Sequence, residues 1–207
     1  MTEPMKYGQT EFEVHLPPEL IAAELEPNQV DLPQRTTAEH IRWALDHPID
    51  SAPLKELVKA GDKVCVIISD VTRRWQAPDT YLPILIAELE AAGVRDEDIL
   101  ILSATGTHRR QTEEEHIGLV TKPVYDRIRV EDHVCTDQDN LAYVGTTSRG
   151  TPVWLDKRAL ACDKIILTGG VVYHFMAGFG GGRKSILPGI AGRETIMKNH
   201  NLALNPG

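Results

Sequence analysis

Lys63-Val64-Cys65-Val66-Ile67-Ile68-Ser69 is an almost unbroken apolar run, and Asp98-Ile99-Leu100-Ile101-Leu102-Ser103 repeats the pattern further along the chain. A strand with one face in water alternates apolar with polar side chains; a strand covered on both faces does not. Both runs therefore predict central strands of a parallel sheet. Between them, residues 79–92 read as a helix, with Leu82, Ile84, Leu85, Leu89 and Ala92 marking an apolar face and Gly93 supplying the stop. Strand, helix and strand within about 40 residues make a βαβ unit with a right-handed crossover. Lys164-Ile165-Ile166-Leu167-Thr168 is a third buried strand. The fold class is α/β: a mostly parallel sheet flanked by helices, with the active site at the carboxyl ends of the strands.

Outward from that unit, residues 10–16 alternate as an edge strand closed by Pro17-Pro18. Thr36 and Thr37 open a helix that ends before Pro48, and residues 53–60 form a second short helix stopped by Gly61. Thr112-Glu113-Glu114-Glu115 opens a helix to about Leu119, its acidic first turn favoured by the helix dipole. Residues 127–133 and 141–146 read as strands, residues 154–161 as a short helix, and residues 193–200 as a helix after the Leu187-Pro188-Gly189 turn. Trp43 and Trp75 read as packing residues, and His40, His116 and His133 have no usable partner spacing.

A chain of 207 residues can bury a proper core as one domain. Its net charge of −8 argues against nucleic acid as a partner, since phosphate backbones need a basic face. No apolar run reaches membrane-spanning length, and Met1-Thr2-Glu3-Pro4 lacks the basic-then-apolar order of a signal peptide. Cys65, Cys135 and Cys162 form no zinc or Cys-x-x-Cys spacing, and an odd number suits a reducing compartment. The expectation is a cytoplasmic protein with neither a nucleic-acid nor a membrane partner.

Each buried strand is followed by a polar cluster: Asp70-Val71-Thr72-Arg73-Arg74, then Thr105-Gly106-Thr107-His108-Arg109, then the glycine-rich Tyr173-His174-Phe175-Met176-Ala177-Gly178-Phe179-Gly180-Gly181-Gly182-Arg183-Lys184-Ser185. Parallel strands would gather all three at one rim. An ordinary polar turn explains one such cluster; it explains three carrying His, Arg and Lys less well. Glycines let backbone N–H groups form a concave nest for an anion, and a lysine within it is either a phosphate counter-charge or, when neutral, a nucleophile. The triphosphate P-loop does not fit, because Arg183 stands where the second glycine is required. The dinucleotide fingerprint fails at the same residue.

Over roughly residues 60–200 these elements resemble the lactate racemase family, whose members use a nickel-pincer nucleotide. The resemblance is carried by Asp70-Val71-Thr72-Arg73, Gly106-Thr107-His108, His174 with Ala177 through Lys184, and Leu187-Pro188-Gly189-Ile190-Ala191-Gly192-Arg193-Glu194-Thr195-Ile196 ending in Asn199-His200. It implies that residues 1–207 are the N-terminal catalytic and cofactor-binding domain, a fragment or truncated relative lacking the family's second domain. Lys184 would hold the cofactor, a pyridinium-3-thioamide-5-thiocarboxylic acid mononucleotide carrying Ni(II), through a thioamide bond. His200 would be the protein's ligand to the nickel, and a planar N/S/C environment suits Ni(II). His108 and His174 would be the alternating acid and base, and Arg73 would hold the substrate carboxylate. Asp70 and Thr72 would position the cofactor or Arg73, while Gly180, Gly181, Gly182, Arg183 and Ser185 are candidates to receive the nucleotide phosphate.

The chemistry so implied is inversion at C2 of a 2-hydroxy acid, lactate or a related hydroxy or sugar acid. One histidine removes the hydroxyl proton while the C2 hydrogen leaves as hydride to the cofactor, and the planar keto acid takes it back on the other face. Imidazole titrates near neutrality and can serve in either protonation state. The implied partners are that small hydroxy acid and the cofactor-synthesis enzymes, without which the protein would be produced cofactor-free; the fragment alone would be inactive. Two other readings stand beside it: a non-catalytic module binding a phosphate or mononucleotide reversibly, and a hydro-lyase or dehydrogenase using the same histidines with a diffusible cofactor.

Overall fold

The computed structural model describes residues 2–26 and 28–204. Two units divide the chain, Met1–Gln34 and Arg35–Gly207. In the first, strands β1 (Thr2–Tyr7) and β2 (Thr10–His15) pair antiparallel with Tyr7 opposite Thr10. The alternation of residues 10–16 marks β2 correctly, whereas the Pro-containing β1 gives no periodic signal and is fixed by its pairing. Tyr7 and Phe12 meet edge to face across the hairpin, ring centroids 6.2 Å apart.

The second unit begins with helix α1 (Thr37–Asp46). Its start is a capping box: the Thr36 hydroxyl accepts the Glu39 N–H at 3.3 Å, and the Glu39 carboxylate accepts the Thr36 N–H at 2.7 Å. The helix read over residues 53–60 is only the single turn α2 (Leu54–Leu57). Val58 leaves it in an extended conformation to bury its side chain in the core. There follow β3 (Val64–Ser69), α3 (Pro78–Ala91), β4 (Ile99–Ala104), α4 (Glu113–Val120), the one-turn α5 (Lys122–Tyr125) and β5 (Arg129–Asp132).

Residues 154–161, read as one helix, divide instead. Trp154 and Leu155 belong to β7 (Pro152–Asp156), which pairs antiparallel with β6 (Leu141–Thr146), and only α6 (Lys157–Leu160) is helical. The Trp154 ring packs on Tyr143 across that hairpin, the Trp154 backbone N–H donates to the Thr195 hydroxyl at 2.8 Å, and Asp156 caps α6 through the Arg158 N–H. Those cross-chain contacts override the local helical pattern. The remaining elements are β8 (Lys164–Leu167), the short hairpin β9 (Tyr173–His174) and β10 (Gly178–Phe179), a 3-10 turn at Gly182–Ser185, and α7 (Arg193–His200).

The main sheet runs in the order β5-β4-β3-β8, every pair parallel. Alternate residues of β3 feed two separate cores. Val64, Val66 and Ile68 face Leu82, Leu85, Ile86 and Leu89 of α3 and Leu119 and Val120 of α4. Cys65 and Ile67 face Leu100, Leu102, Ala159 and Ile190 on the other side. A fully buried side chain of this size contributes about 1.5–3 kcal/mol, which is why β3 is apolar from Val64 to Ile68. From β3 the chain proceeds to β4 and β5 on one side, then returns as β8 on the other. The loops after β3, β4 and β8 meet at the carboxyl edge of the sheet and line a crevice there. No helix among the described residues is long and apolar enough to cross a membrane.

Candidate active site

A cavity of about 320 Å³ occupies this crevice, and Arg73, His108, His174, Lys184 and His200 all line it. The three polar clusters are thus brought together, although β8, read from the sequence as buried, lies at the sheet edge with Lys164 and Ile165 exposed. No carboxylate lies among its described lining residues, so two cationic side chains and three imidazoles face one space and favour an anionic occupant.

The turn after β3 is organised by Asp70, 2% exposed. One of its oxygens accepts the Thr72 N–H at 3.1 Å and the Thr72 hydroxyl at 2.5 Å and lies 3.8 Å from the Arg73 guanidinium. The other oxygen takes Nδ1 of His108. Asp70 and Thr72 do not themselves line the cavity; they stand behind Arg73 and His108. This turn is also tied to its neighbours by residues whose spacing gave no signal. The Gln111 side-chain oxygen accepts the Val71 N–H at 2.7 Å, while its amide nitrogen and backbone N–H donate to Asp132 at 2.8 and 2.7 Å. His116 donates to the same carboxylate at 2.8 Å. Burial pushes the Asp132 carboxyl up, but the bonds from His116 and Gln111 outweigh it and hold it below the usual range. The loops after β3 and β4 are locked to the end of β5 by this one amide.

Lys184 sits on the 3-10 turn Gly182–Ser185, which Gly181 opens at φ 70°, a conformation that favours glycine. A Cβ at Gly181 would also come within 3.0 Å of the Gly170 carbonyl. Partial burial, helped by the Arg73 charge, lowers the pKa of the Lys184 amine. Downstream, a Cβ at Gly189 would overlap the Ser185 carbonyl, so only glycine lets the Pro188–Gly189 segment close over Lys184. Gly180, Gly181 and Ser185 line the cavity; Gly182 and Arg183 do not, and both are exposed.

His174 stands on the β9–β10 hairpin, where its Nδ1 accepts the N–H groups of Met176 and Ala177 at 3.3 and 3.2 Å. Desolvation, then the charges of Lys184, Arg73 and His200, lower its pKa and favour the neutral ring. His200 ends α7, and its Nδ1 donates to the Ile196 carbonyl at 2.7 Å. A carbonyl can only accept, so Nδ1 carries the proton and Nε2 is left bare, as a metal ligand requires. Among the described residues no three His, Cys, Asp or Glu side chains gather as a metal site.

Trp75 and Gln76, in the stretch after Arg73 where substrate preference is expected to be set, line the cavity as well. Trp75, taken from sequence as a packing residue, is 63% exposed and lines the cavity, its ring edge lying over Gly170. The buried side-chain oxygen of Gln76, a residue also on the cavity wall, has no hydrogen-bond partner among the described residues. His133 is fully buried, Nδ1 on Asp156 at 2.9 Å and Nε2 on the Ala191 carbonyl at 3.0 Å, and it pins the segment before α7 to β7.

The family described as the lactate racemase N-terminal domain matches residues 7–207. A lactate racemase of Lactiplantibacillus plantarum is 38% identical over 79% of this chain and 38% of its own length. One from Thermoanaerobacterium thermosaccharolyticum is 32% identical over 94% of this chain and 45% of its own. Among solved structures, the lactate racemase apoprotein from T. thermosaccharolyticum superposes with a TM-score of 0.82 at 31% identity, covering all of this chain and 48% of that one. A crystal structure of a Thermotoga maritima protein matches with a TM-score of 0.64 at 26% identity, covering 79% of this chain and 40% of that one. The chain spans less than half the length of the curated relatives it matches.

Proposed function

The chain belongs to the lactate racemase N-terminal domain family, and from that membership we propose that it forms the catalytic and cofactor-binding part of a racemase or epimerase acting at C2 of a 2-hydroxy acid. The observation that carries the reading is the single cavity faced by His108, His174, Arg73, Lys184 and His200 with no carboxylate among its described lining residues.

The residues present suit a lysine-tethered nickel-pincer nucleotide. Lys184 has a lowered amine pKa, as covalent attachment through that nitrogen asks. Gln76 offers an unpartnered acceptor on the wall. His200 leaves Nε2 bare, and one such nitrogen suffices where the cofactor supplies the other donors to Ni(II). When bound, the group supplies a two-electron acceptor and donor for the C2 hydrogen.

The chain's own residues do the rest. Arg73 binds the substrate carboxylate through a charge-assisted fork, its backbone turn held by Asp70 and Gln111. His108, oriented by Asp70, presents Nε2 to the substrate hydroxyl and takes its proton. His174 serves the hydroxyl of the opposite enantiomer. General-base assistance is worth about 10²–10⁴ in rate, so either loss should be severe. The cofactor-synthesis enzymes and the small hydroxy acid are the partners this reading requires.

The test is intact-mass spectrometry with metal analysis on protein produced together with the cofactor-synthesis enzymes. A mass increment that disappears in Lys184→Arg, with stoichiometric nickel, is the expected result. An unmodified Lys184 and no nickel would sink the reading. A phosphate ligand that Lys184→Ala merely weakens would favour a reversible binding module instead.

A further inference from the structure

We propose that His108 and His174 rest in opposite tautomers, so that with the 174–177 turn closed only His108 can take up a substrate proton, while His174 acts as a hydrogen-bond donor. This rests on the reading of both as substrate-facing acid–base groups. A neutral imidazole has one N–H and one bare nitrogen, and the partner of either nitrogen decides the state of the other. For His108 that partner is Asp70. One Asp70 oxygen accepts the Thr72 N–H and hydroxyl and faces Arg73, which leaves the other oxygen as the acceptor that meets His108. Nδ1 of His108 therefore bears the proton, and Nε2 carries the lone pair.

For His174 the backbone decides the opposite. Met176 N–H and Ala177 N–H both point at Nδ1, 3.3 and 3.2 Å away, and a backbone N–H can only donate. Nδ1 is thus bare, and the proton of the neutral ring sits on Nε2. The Phe175 ring stacks on the imidazole at 5.2 Å and covers one face of it in this geometry.

The difference is chemical. Nε2 of His108 can take a hydroxyl proton at once, keeping Nδ1–H on Asp70. Nε2 of His174 is already occupied; releasing its proton from the neutral ring would leave an imidazolate, and protonating Nδ1 from solvent would set an N–H against two others. In this conformation His174 can hydrogen-bond to a substrate oxygen but cannot relay a proton. To become a base, its Nδ1 must leave Met176 and Ala177 and acquire a proton. The turn is built to allow that: β9 and β10 are two residues each, and Tyr173 and Phe175 are 89% and 94% exposed, so little packing opposes opening.

The experiment is nitrogen-15 multiple-bond correlation NMR on the protein labelled in its histidine nitrogens, above the ordinary imidazole pKa. His108→Gln and His174→Gln each remove one set of signals and so assign the pair. Expected are a protonated Nδ1 and bare Nε2 for His108, and the reverse for His174. A protonated Nδ1 at His174, or averaged shifts at its two nitrogens, overturns the proposal. Neither outcome bears on whether Lys184 is modified and nickel bound, so the racemase reading fails or survives on its own measurement.

Discussion

Asp70 holds Nδ1 of His108 on one carboxylate oxygen and the Thr72 hydroxyl, 2.5 Å away, on the other. A single buried side chain thereby orients the residue after β4 that faces the cavity and organises the turn after β3 that carries Arg73. Asp70→Asn keeps the shape but can offer an N–H to His108, which drives the imidazole proton to Nε2 and blocks it as a base. The turnover number of the cofactor-loaded protein should fall by about 10²–10⁴. Its circular dichroism spectrum should stay unchanged; an unaltered rate would show that Asp70 plays no part in orienting the base.

Gln111→Ala should act on binding and stability together. It leaves the Val71 N–H without its side-chain partner and strips Asp132 of one donor, the side-chain amide, while the backbone N–H of residue 111 stays on Asp132. Unsatisfied buried groups of this kind cost about 1–3 kcal/mol, measurable by denaturant unfolding. Because the freed turn carries Arg73, KM for the hydroxy acid should rise more than kcat falls.

On the proposed function, His200→Ala should separate metal from tether. Nickel content should drop to background while the mass increment on Lys184 persists, since the two contacts lie on different elements, α7 and the Gly182–Ser185 turn. Retained nickel in that variant would assign the metal to another ligand.

Acid stability should report on Asp156. Burial pushes its carboxyl up, but Arg158 and His133 outweigh it and bring the pKa down to about 2. The folded value lies below the ordinary value of about 3.9, so the stabilisation is complete above that pH and is lost as pH falls towards 2. The window is worth about 2–3 kcal/mol, at 1.36 kcal/mol per unit. Denaturant midpoints measured against pH should steepen there in the wild type and flatten in Asp156→Asn.

The buried strands β3 and β4, the helix starts and the three polar clusters were legible in the sequence because each is a local property; that β8 is an exposed edge strand was not. A strand covered on both faces must be apolar at successive positions, as β3 and β4 are, and a helix start needs its Thr-to-Glu cap within four residues. The candidate residues His108, His174, Lys184, His200 and Arg73 were legible too, through their motifs. Tertiary structure alone decided that residues 154–161 divide between β7 and α6, and that Gln111, Asp132 and His116 form one lock. It also decided which nitrogen of each imidazole is free. Those outcomes depend on partners tens of residues away, such as Thr195 on Trp154 and Asp70 on His108. A hydrogen bond between distant residues leaves no period or spacing in the chain, so only the folded sheet, with its loops gathered at one edge, could reveal it.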